Sequence, residues 1–444
     1  MSDEYDVVVI GAGPVGENAA QYAIQGTDFT AVIVEQELIG GECSYFACIP
    51  SKALLRPVAV AGVTADLRGV RPTGVDTEAL LARRDYWVSN YDDSGQAAWA
   101  ESAGIDVVRG TGRITGERRV SVGERTLTAR HAVVVATGSR PTIPAELADV
   151  RPWTNRDVTG VVEIPERLAI IGGGVVACEA ATWMSALGSR VTLLVRHGLL
   201  SRVEPFAADF VADSLAHHGV DLRRGARVSA GRRPGALNAE LGRLHGGPVD
   251  LEIDGQWQSF DEVLVAAGRT LNTEPLPEGD RPAWLHLVGD VSGEPALTHW
   301  GKYRARVLGA RLKAQLLGRP DPAVPDDVPV PQVIFTDPEV AAVGPTLAEA
   351  QAVDPSAHAL DVPITSASGL KLLVDHPRGQ ARLVVAGDGR LLGATFVGPD
   401  VAELVHAATV AVVGRMTLDQ LWHAVPSYPT ASEVWLRLLE TTLA

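Results

Sequence analysis

Short β-branched apolar runs recur along this chain, each broken at a glycine, and two of them lead into alanine-rich stretches of helical composition. Asp6-Val7-Val8-Val9-Ile10 runs into Gly11-Ala12-Gly13-Pro14-Val15-Gly16, a helical stretch follows over residues 17–25, and a second run over 31–34 ends in Glu35. Runs this short and this apolar, bounded by turn residues, predict parallel strands covered on both faces. The order strand, glycine turn, helix, strand, acid predicts a nucleotide-binding unit. In such a unit Gly11, Gly13 and Gly16 let backbone approach a pyrophosphate at a helix N-terminus, and Glu35 accepts hydrogen bonds from ribose hydroxyls.

The same series returns about 160 residues later. Leu168-Ala169-Ile170-Ile171 runs into Gly172-Gly173-Gly174 and a helix reaching Leu187, and the next strand, 190–195, ends in Arg196-His197 with Arg202 close behind. Two nucleotide folds imply two nucleotides. An acid at the end of that strand would favour a free 2'-hydroxyl, whereas guanidinium groups hold a 2'-phosphate bidentately, so Arg196 and Arg202 predict NADPH. Further apolar runs end at Ala136-Thr137-Gly138-Ser139, at Ala267-Gly268-Arg269 and at Gly289-Asp290. Open α/β sheets bind ligands at such strand ends, which brings in Thr137, Gly138, Gly268 and Asp290.

From about 320 to 331 the chain turns proline-rich and acidic, which reads as a linker. Beyond it, strands over 381–385 and 391–397 with helices over 401–414 and 431–443 predict an α+β domain without a nucleotide fingerprint. The expected fold is α/β, with two Rossmann-like nucleotide domains, 1–146 with 276–322 and 147–275, and a C-terminal domain, 323–444. A chain of 444 residues accommodates about three domains.

Cysteine usage adds chemistry. Two of only three cysteines, Cys43 and Cys48, lie five positions apart shortly after the first fingerprint. Two thiols on one short segment can close into a disulfide and pass two electrons on. Zinc would need a second ligand pair, which the sequence does not offer, so no metal site is expected. Three cysteines are too few for a secreted disulfide scaffold. The start is acidic, no run of some 18 apolar residues is free of charge, and the net charge is -15. The expectation is a cytoplasmic protein that binds neither nucleic acid nor membrane.

Taken in order, these motifs resemble the flavin-dependent pyridine nucleotide-disulfide oxidoreductases, the group of dihydrolipoamide dehydrogenase, glutathione reductase and mercuric reductase. The resemblance covers nearly the whole chain and includes Ile49-Pro50-Ser51-Lys52, Ala296-Leu297-Thr298-His299 and Phe335-Thr336-Asp337-Pro338-Glu339. It implies a homodimer carrying FAD in the first fold. Cys48 would be the thiolate against the flavin and Cys43 the thiol that meets substrate. Lys52 and Glu179 would pair near the flavin, and Asp290 would bind its ribityl chain.

The departures bear on the acceptor. Members that reduce disulfides end in His-Pro-Thr-x-x-Glu, the histidine serving the partner subunit as acid/base. This chain reads Tyr428-Pro429-Thr430-Ala431-Ser432-Glu433. A tyrosine ordinarily ionises near pH ~10, which makes it a poor base. Mercuric reductases share the tyrosine and a small residue at Val175, but carry a C-terminal cysteine pair where this chain ends Leu438-Leu439-Glu440-Thr441-Thr442-Leu443-Ala444. Glu42 and Tyr45 stand where threonine and asparagine are common, with an effect the sequence does not resolve. Cys178 is expected to pack, and His423 to be structural. The expectation is an NADPH-oxidising reductase serving a small-molecule acceptor, a quinone or a specialised thiol or metal compound. The rivals are an ordinary low-molecular-weight disulfide reductase or dihydrolipoamide dehydrogenase-like enzyme with Tyr428 as acid, and a flavoprotein redox sensor or interaction subunit without turnover.

Overall fold

The computed structural model describes residues 3–443. The chain forms two compact units: Met1–Pro50 with Ala82–Thr142 and Gly268–Asp326, and Ser51–Leu81 with Ile143–Ala267 and Asp327–Ala444.

The first unit is built on a seven-stranded sheet. Ile105–Arg109, Ala31–Glu35, Glu4–Ile10 and Arg125–Val135 are neighbours in that order and run parallel, with Leu285–Leu287 also parallel to Arg125–Val135. Arg119–Val122 and Gly112–Gly116 extend the sheet antiparallel. Val7 and Val9 pack on one face with Ala19, Ala23, Ala305 and Leu312, while Tyr5, Val8 and Ile10 pack on the other with Val120 and Leu127. Burial on both faces is why the strand reads as continuously apolar rather than alternating. The helices Pro14–Ile24 and Thr298–Leu316 lie against each other so closely that a Cβ on Gly309 would come within 2.6 Å of the Tyr22 Cβ.

In the second unit, Asp221–Arg224, Arg190–Val195, Arg167–Ile171 and Glu262–Val265 form a four-stranded parallel sheet. Its core is filled by Trp153, Leu168, Trp183 and Met184, each at most 1% exposed. A three-stranded antiparallel sheet, Val228–Arg232, Val249–Ile253 and Gln256–Phe260, belongs to the same unit. So does a five-stranded antiparallel sheet ordered Gln332–Ile334, Glu339–Val343, Leu391–Gly398, Gln380–Val385, His358–Pro363. The helices Leu404–Val413 and Glu433–Glu440 bury Leu404, Ala408, Val434 and Leu438 against Leu383, Ala394 and Phe396 of that sheet.

The class is therefore mixed α/β with parallel sheets, as the apolar runs predict. Two C-terminal elements are shorter than their pattern suggests: residues 401–403 form a separate 3-10 turn before the helix at Leu404, and the last helix begins only at Glu433. Residues 319–331 carry no helix or strand. One stretch, Gly41–Ala65, has the length and mean hydropathy, 1.4, to cross a membrane. It is two helices, Gly41–Tyr45 and Cys48–Ala65, and the second buries Leu54 and Leu55 in the core that holds Trp153 and Trp183.

Candidate active site

The cysteine segment is fixed to the first glycine turn by backbone. Gly40 donates its N–H to the Ala12 carbonyl at 2.7 Å, and Gly41 approaches so closely that a Cβ there would lie 2.9 Å from the Gly13 Cα. Gly40 and Gly41 both have positive φ, 105° and 56°, a conformation that costs glycine little. From this hinge Cys43 is carried on the short helix, and Cys48 opens the next one.

Both sulfurs are half-buried, and they differ electrically. The Cys48 Sγ shares a 3.3 Å hydrogen bond with Oγ1 of Thr298, the first residue of the helix Thr298–Leu316. Two helix N-termini thus converge on Cys48, and positive helix ends favour an anionic sulfur. The Cys43 thiol is pushed well above its usual range by its hydrogen bond with Cys48, by burial and by the charge of Cys48, against opposing effects of Thr298 and Lys302. Of the two, Cys43 is the one that keeps its proton.

One helical turn beyond Cys48, the Lys52 Nζ is held by Glu179 at 2.7 and 3.0 Å. Glu179 is 3% exposed and also accepts from the Phe335 backbone N–H at 3.0 Å, and the ammonium lies 4.8 Å from the Phe335 ring centroid. Fixing both partners in this way holds the cation in one place. Cys178, adjacent to Glu179, is fully buried and its thiol is pushed up to about 12 by burial and then by Glu179, which leaves it chemically inert.

The glycine turns have the shape a dinucleotide needs. A Cβ on Gly16 would sit 1.9 Å from the Gly11 carbonyl oxygen, so the turn closes only with glycine. Gly13 and Gly174, by contrast, cap the helices Pro14–Ile24 and Val175–Ala186 and have no atom within 4 Å of where a Cβ would be. Open space in front of a helix N-terminus is what a pyrophosphate requires. Gly172 faces inward, its Cβ position 2.3 Å from the Ala266 carbonyl oxygen. Glu35 ends its strand and is aimed back at the turn by accepting from the Ala12 N–H at 2.7 Å. At the matching end of Arg190–Val195, Arg196 and Arg202 are exposed and, among the described residues, have no carboxylate partner.

Also in the first unit, Thr137 and Asn272 exchange hydrogen bonds at 2.6 and 2.9 Å, and Gly138 accepts from the Asn272 N–H. Asp290 accepts from the Ser139 hydroxyl at 2.5 Å, and Arg269, next to Gly268, donates to the same hydroxyl at 2.6 Å. Arg269 also lies 3.8 Å from Glu42 and 3.9 Å from Asp290. The acid at position 42 therefore answers a cation more than 200 positions away in sequence. Tyr45 is buried against Phe46 and Tyr91.

At the C-terminal segment, Tyr428 is 74% exposed and His423 is exposed. Glu433 is buried, and its carboxylate is already committed: it accepts from the Ser368 and Gly369 N–H groups at 2.8 and 3.3 Å and pairs with Arg437 at 2.6 Å. Among the described residues no cluster of histidine, cysteine and acidic groups could hold a metal ion.

Residues 5–284 match the profile of the pyridine nucleotide-disulphide oxidoreductases, and residues 330–438 match the dimerisation domain of the same proteins. The chain belongs to this family. Pyridine nucleotide-disulphide oxidoreductases use FAD and a pyridine nucleotide, so this chain is a flavin-dependent oxidoreductase. The dihydrolipoyl dehydrogenase of Chlamydia muridarum is 31% identical over 98% of this chain and 96% of its own length. The mercuric reductase of Shigella flexneri is 30% identical over 96% of this chain and 79% of its own length. A solved structure, the Cu(II) complex of the HOCl-induced flavoprotein disulfide reductase RclA from Escherichia coli, superposes with a TM-score of 0.84 over 99% of this chain and 100% of that one. At 20% identity it is a likeness of fold.

The motif order made the family legible, but three sets of contacts in its site were not: Thr298 with Cys48, Arg269 with Glu42, and the ties of Glu433. Burial alone would raise Glu433, yet hydrogen bonds from Arg437, Gly369 and Ser368 hold it below the usual carboxylate range. A carboxyl lowered on folding stabilises the fold above its unfolded pKa, near ~4.3, and that contribution is lost as pH falls through the lower folded value. Glu433→Gln should thus lower the urea midpoint at pH 7, with the gap from wild type closing as pH falls below about 4. A gap that does not change with pH would show that the carboxylate charge is not what holds this segment.

Proposed function

We propose that this chain is a homodimeric, FAD-containing reductase that oxidises NADPH, works through a redox-active Cys43–Cys48 pair, and serves a small-molecule acceptor other than an ordinary disulfide. A quinone-like compound is favoured, with a specialised thiol or metal compound next. The observation that carries this reading is the pairing of two electrically distinct thiols with an exposed Tyr428 where exchange chemistry wants a base, and a Glu433 committed elsewhere.

FAD held by Gly11, Gly13, Gly16, Glu35, Thr137, Gly138 and Asp290 would supply two-electron transfer between reduced nicotinamide and disulfide. Cys48 keeps the negative charge after the disulfide opens, because two helix ends face it. Cys43 keeps the proton and is the sulfur available to an acceptor. Lys52, fixed by Glu179, holds a positive charge one turn from Cys48. Gly172 and Gly174 would admit the second pyrophosphate, and Arg196 and Arg202 its 2'-phosphate. Homodimerisation is supported by the matched dimerisation domain and by Val410, Val413, Trp422 and Val425, apolar side chains left 55%, 57%, 41% and 87% exposed in it. Relatives named dihydrolipoyl dehydrogenase favour a second reading, thiol–disulfide exchange with an ordinary dithiol or disulfide, with Tyr428 as the acid.

Two measurements test these choices. Charge-assisted bonds to a phosphate are worth about 1.5–3 kcal/mol each, so replacing Arg196 and Arg202 together by alanine should cut kcat/KM for NADPH by about 100-fold or more and leave NADH within about threefold. Wild-type preference for NADH would refute the assignment. In an acceptor screen, naphthoquinone should exceed lipoamide and glutathione disulfide by at least about tenfold in kcat/KM, because losing a general base typically costs disulfide exchange roughly 10²–10⁴. Equal or faster turnover of either disulfide would favour the second reading instead.

A further inference from the structure

The strand Leu285–Leu287 pairs with Arg125–Val135, and among the described residues no further strand pairs with it, so its outer edge is open. Beside that edge the first unit holds a pocket of about 550 Å³, within the range of roughly 300–1,000 Å³ usual for small-molecule sites. Three segments wall it. The strand and the turn before it supply Arg281, His286 and Val288. The helix Thr298–Leu316 supplies Arg304, Val307, Leu308 and Arg311, whose spacing i, i+3, i+4, i+7 puts them on one stripe two turns, or ~10 Å, long. The stretch after the helix supplies Asp321, Pro322 and Val324, all exposed, which places the mouth there. None of the residues proposed to hold FAD or NADPH lines this pocket.

Charge in the pocket is not balanced. At one end of the stripe Arg304 is held by Glu294 at 2.9 and 3.0 Å, and Glu294 also accepts from the Trp300 indole N–H at 3.0 Å. At the other end Arg311 pairs with Asp321 at 2.6 Å. The two acids answer two of the three arginines. Arg281 has no carboxylate partner among the described residues, so the lining keeps a surplus positive charge. The Leu285 N–H donates to the Pro282 carbonyl at 3.0 Å, a turn that keeps Arg281 at the end of the strand that carries His286. The His286 ring is half-buried and, among the described residues, has no hydrogen-bond partner. Burial, then the charges of Arg311 and Arg281, hold its imidazole below the usual range. An apolar wall, an unanswered guanidinium and an unpartnered imidazole are complementary to one kind of molecule, an apolar body that ends in a negative group.

We propose that this pocket is a second ligand site, taking a small organic carboxylate with an apolar tail of about 10 Å, its head met by Arg281 and His286 and its tail laid along Val307, Leu308 and Val288. A carboxylate at Arg281 offsets the repulsion that an imidazolium meets in the empty pocket, so binding brings a proton onto His286. The other charges that line the pocket are the two ion pairs already named. The His286 pKa is thus lower in the empty pocket than in the filled one, and affinity is greatest below the empty-pocket value and declines as pH rises through the filled-pocket value.

Isothermal titration calorimetry of octanoate into the oxidised FAD-holoprotein tests the proposal, with octanamide as the uncharged control. Octanoate should bind at one site per chain, about tenfold or more tighter than octanamide, and tighter at pH 5.5 than at pH 8. Arg281→Ala should weaken octanoate by about tenfold or more, and Arg281→Lys by less. His286→Gln should remove the pH dependence, and Val307→Trp, which fills the place of the tail, should abolish binding. All four variants should keep the wild-type FAD content. Absence of saturable binding, equal binding of octanamide, or wild-type affinity in both Arg281→Ala and Val307→Trp overturns the proposal. An affinity that is the same at both pH values overturns the role given to His286. Octanoate that competes with NADPH or naphthoquinone, and still does so in Val307→Trp, would lie in a site already described and overturn the proposal too. So would sedimentation showing that Val307→Trp splits a dimer, because this face would then be a subunit contact.

Discussion

Cys48 stands where two helices begin. It is the first residue of Cys48–Ala65, and it shares a hydrogen bond with the first residue of Thr298–Leu316, so two helix N-termini meet at this residue. That placement separates the two thiols: helix N-termini favour negative charge at Cys48, and the hydrogen bond and charge of Cys48, with burial, push the Cys43 thiol up. A symmetric pair would have no preferred direction of exchange. Much of the first unit serves to keep this arrangement rigid, since the glycine turn of the first fingerprint supports Gly40 and Gly41, and the strand that ends at Gly11 is locked between two parallel neighbours.

What the sequence made legible is what is local. The strand-turn-helix series, the five-residue cysteine spacing and the arginines after the second unit's strand each lie within a few residues, and the structure places them in the elements their patterns predict. What stayed hidden depends on partners far along the chain. Glu42 meets Arg269, Cys48 meets Thr298, and Glu433 ties down residues 368 and 369. A substitution such as glutamate at position 42 reads as an anomaly until its cation is known. The C-terminal helices are shorter than their pattern because residues 401–403 and 431–432 carry side chains that fit a helix, while the backbone there turns more tightly.

The C-terminal segment shows how a family frame is kept while one chemical part changes. Proline, threonine and glutamate around Tyr428 remain, and the glutamate has structural work: it clamps Ser368 and Gly369, and the latter passes so close to Thr430 that a Cβ would fall 2.1 Å from its carbonyl carbon. With Oε1 on Arg437 and Oε2 on the Ser368 and Gly369 N–H groups, this carboxylate holds the segment in place.

The central claim is that Cys43 and Cys48 form the disulfide that accepts electrons, with Cys178 a bystander. Differential alkylation measures this directly: block thiols in the air-oxidised holoprotein with one isotopic form of iodoacetamide, add one equivalent of NADPH under argon, unfold in the second isotopic form, and map the labels. The account predicts that Cys43 and Cys48 together acquire the second label only after NADPH, while Cys178 takes it with or without NADPH because unfolding is what exposes it. Labels on Cys43 and Cys48 that do not depend on NADPH would contradict it.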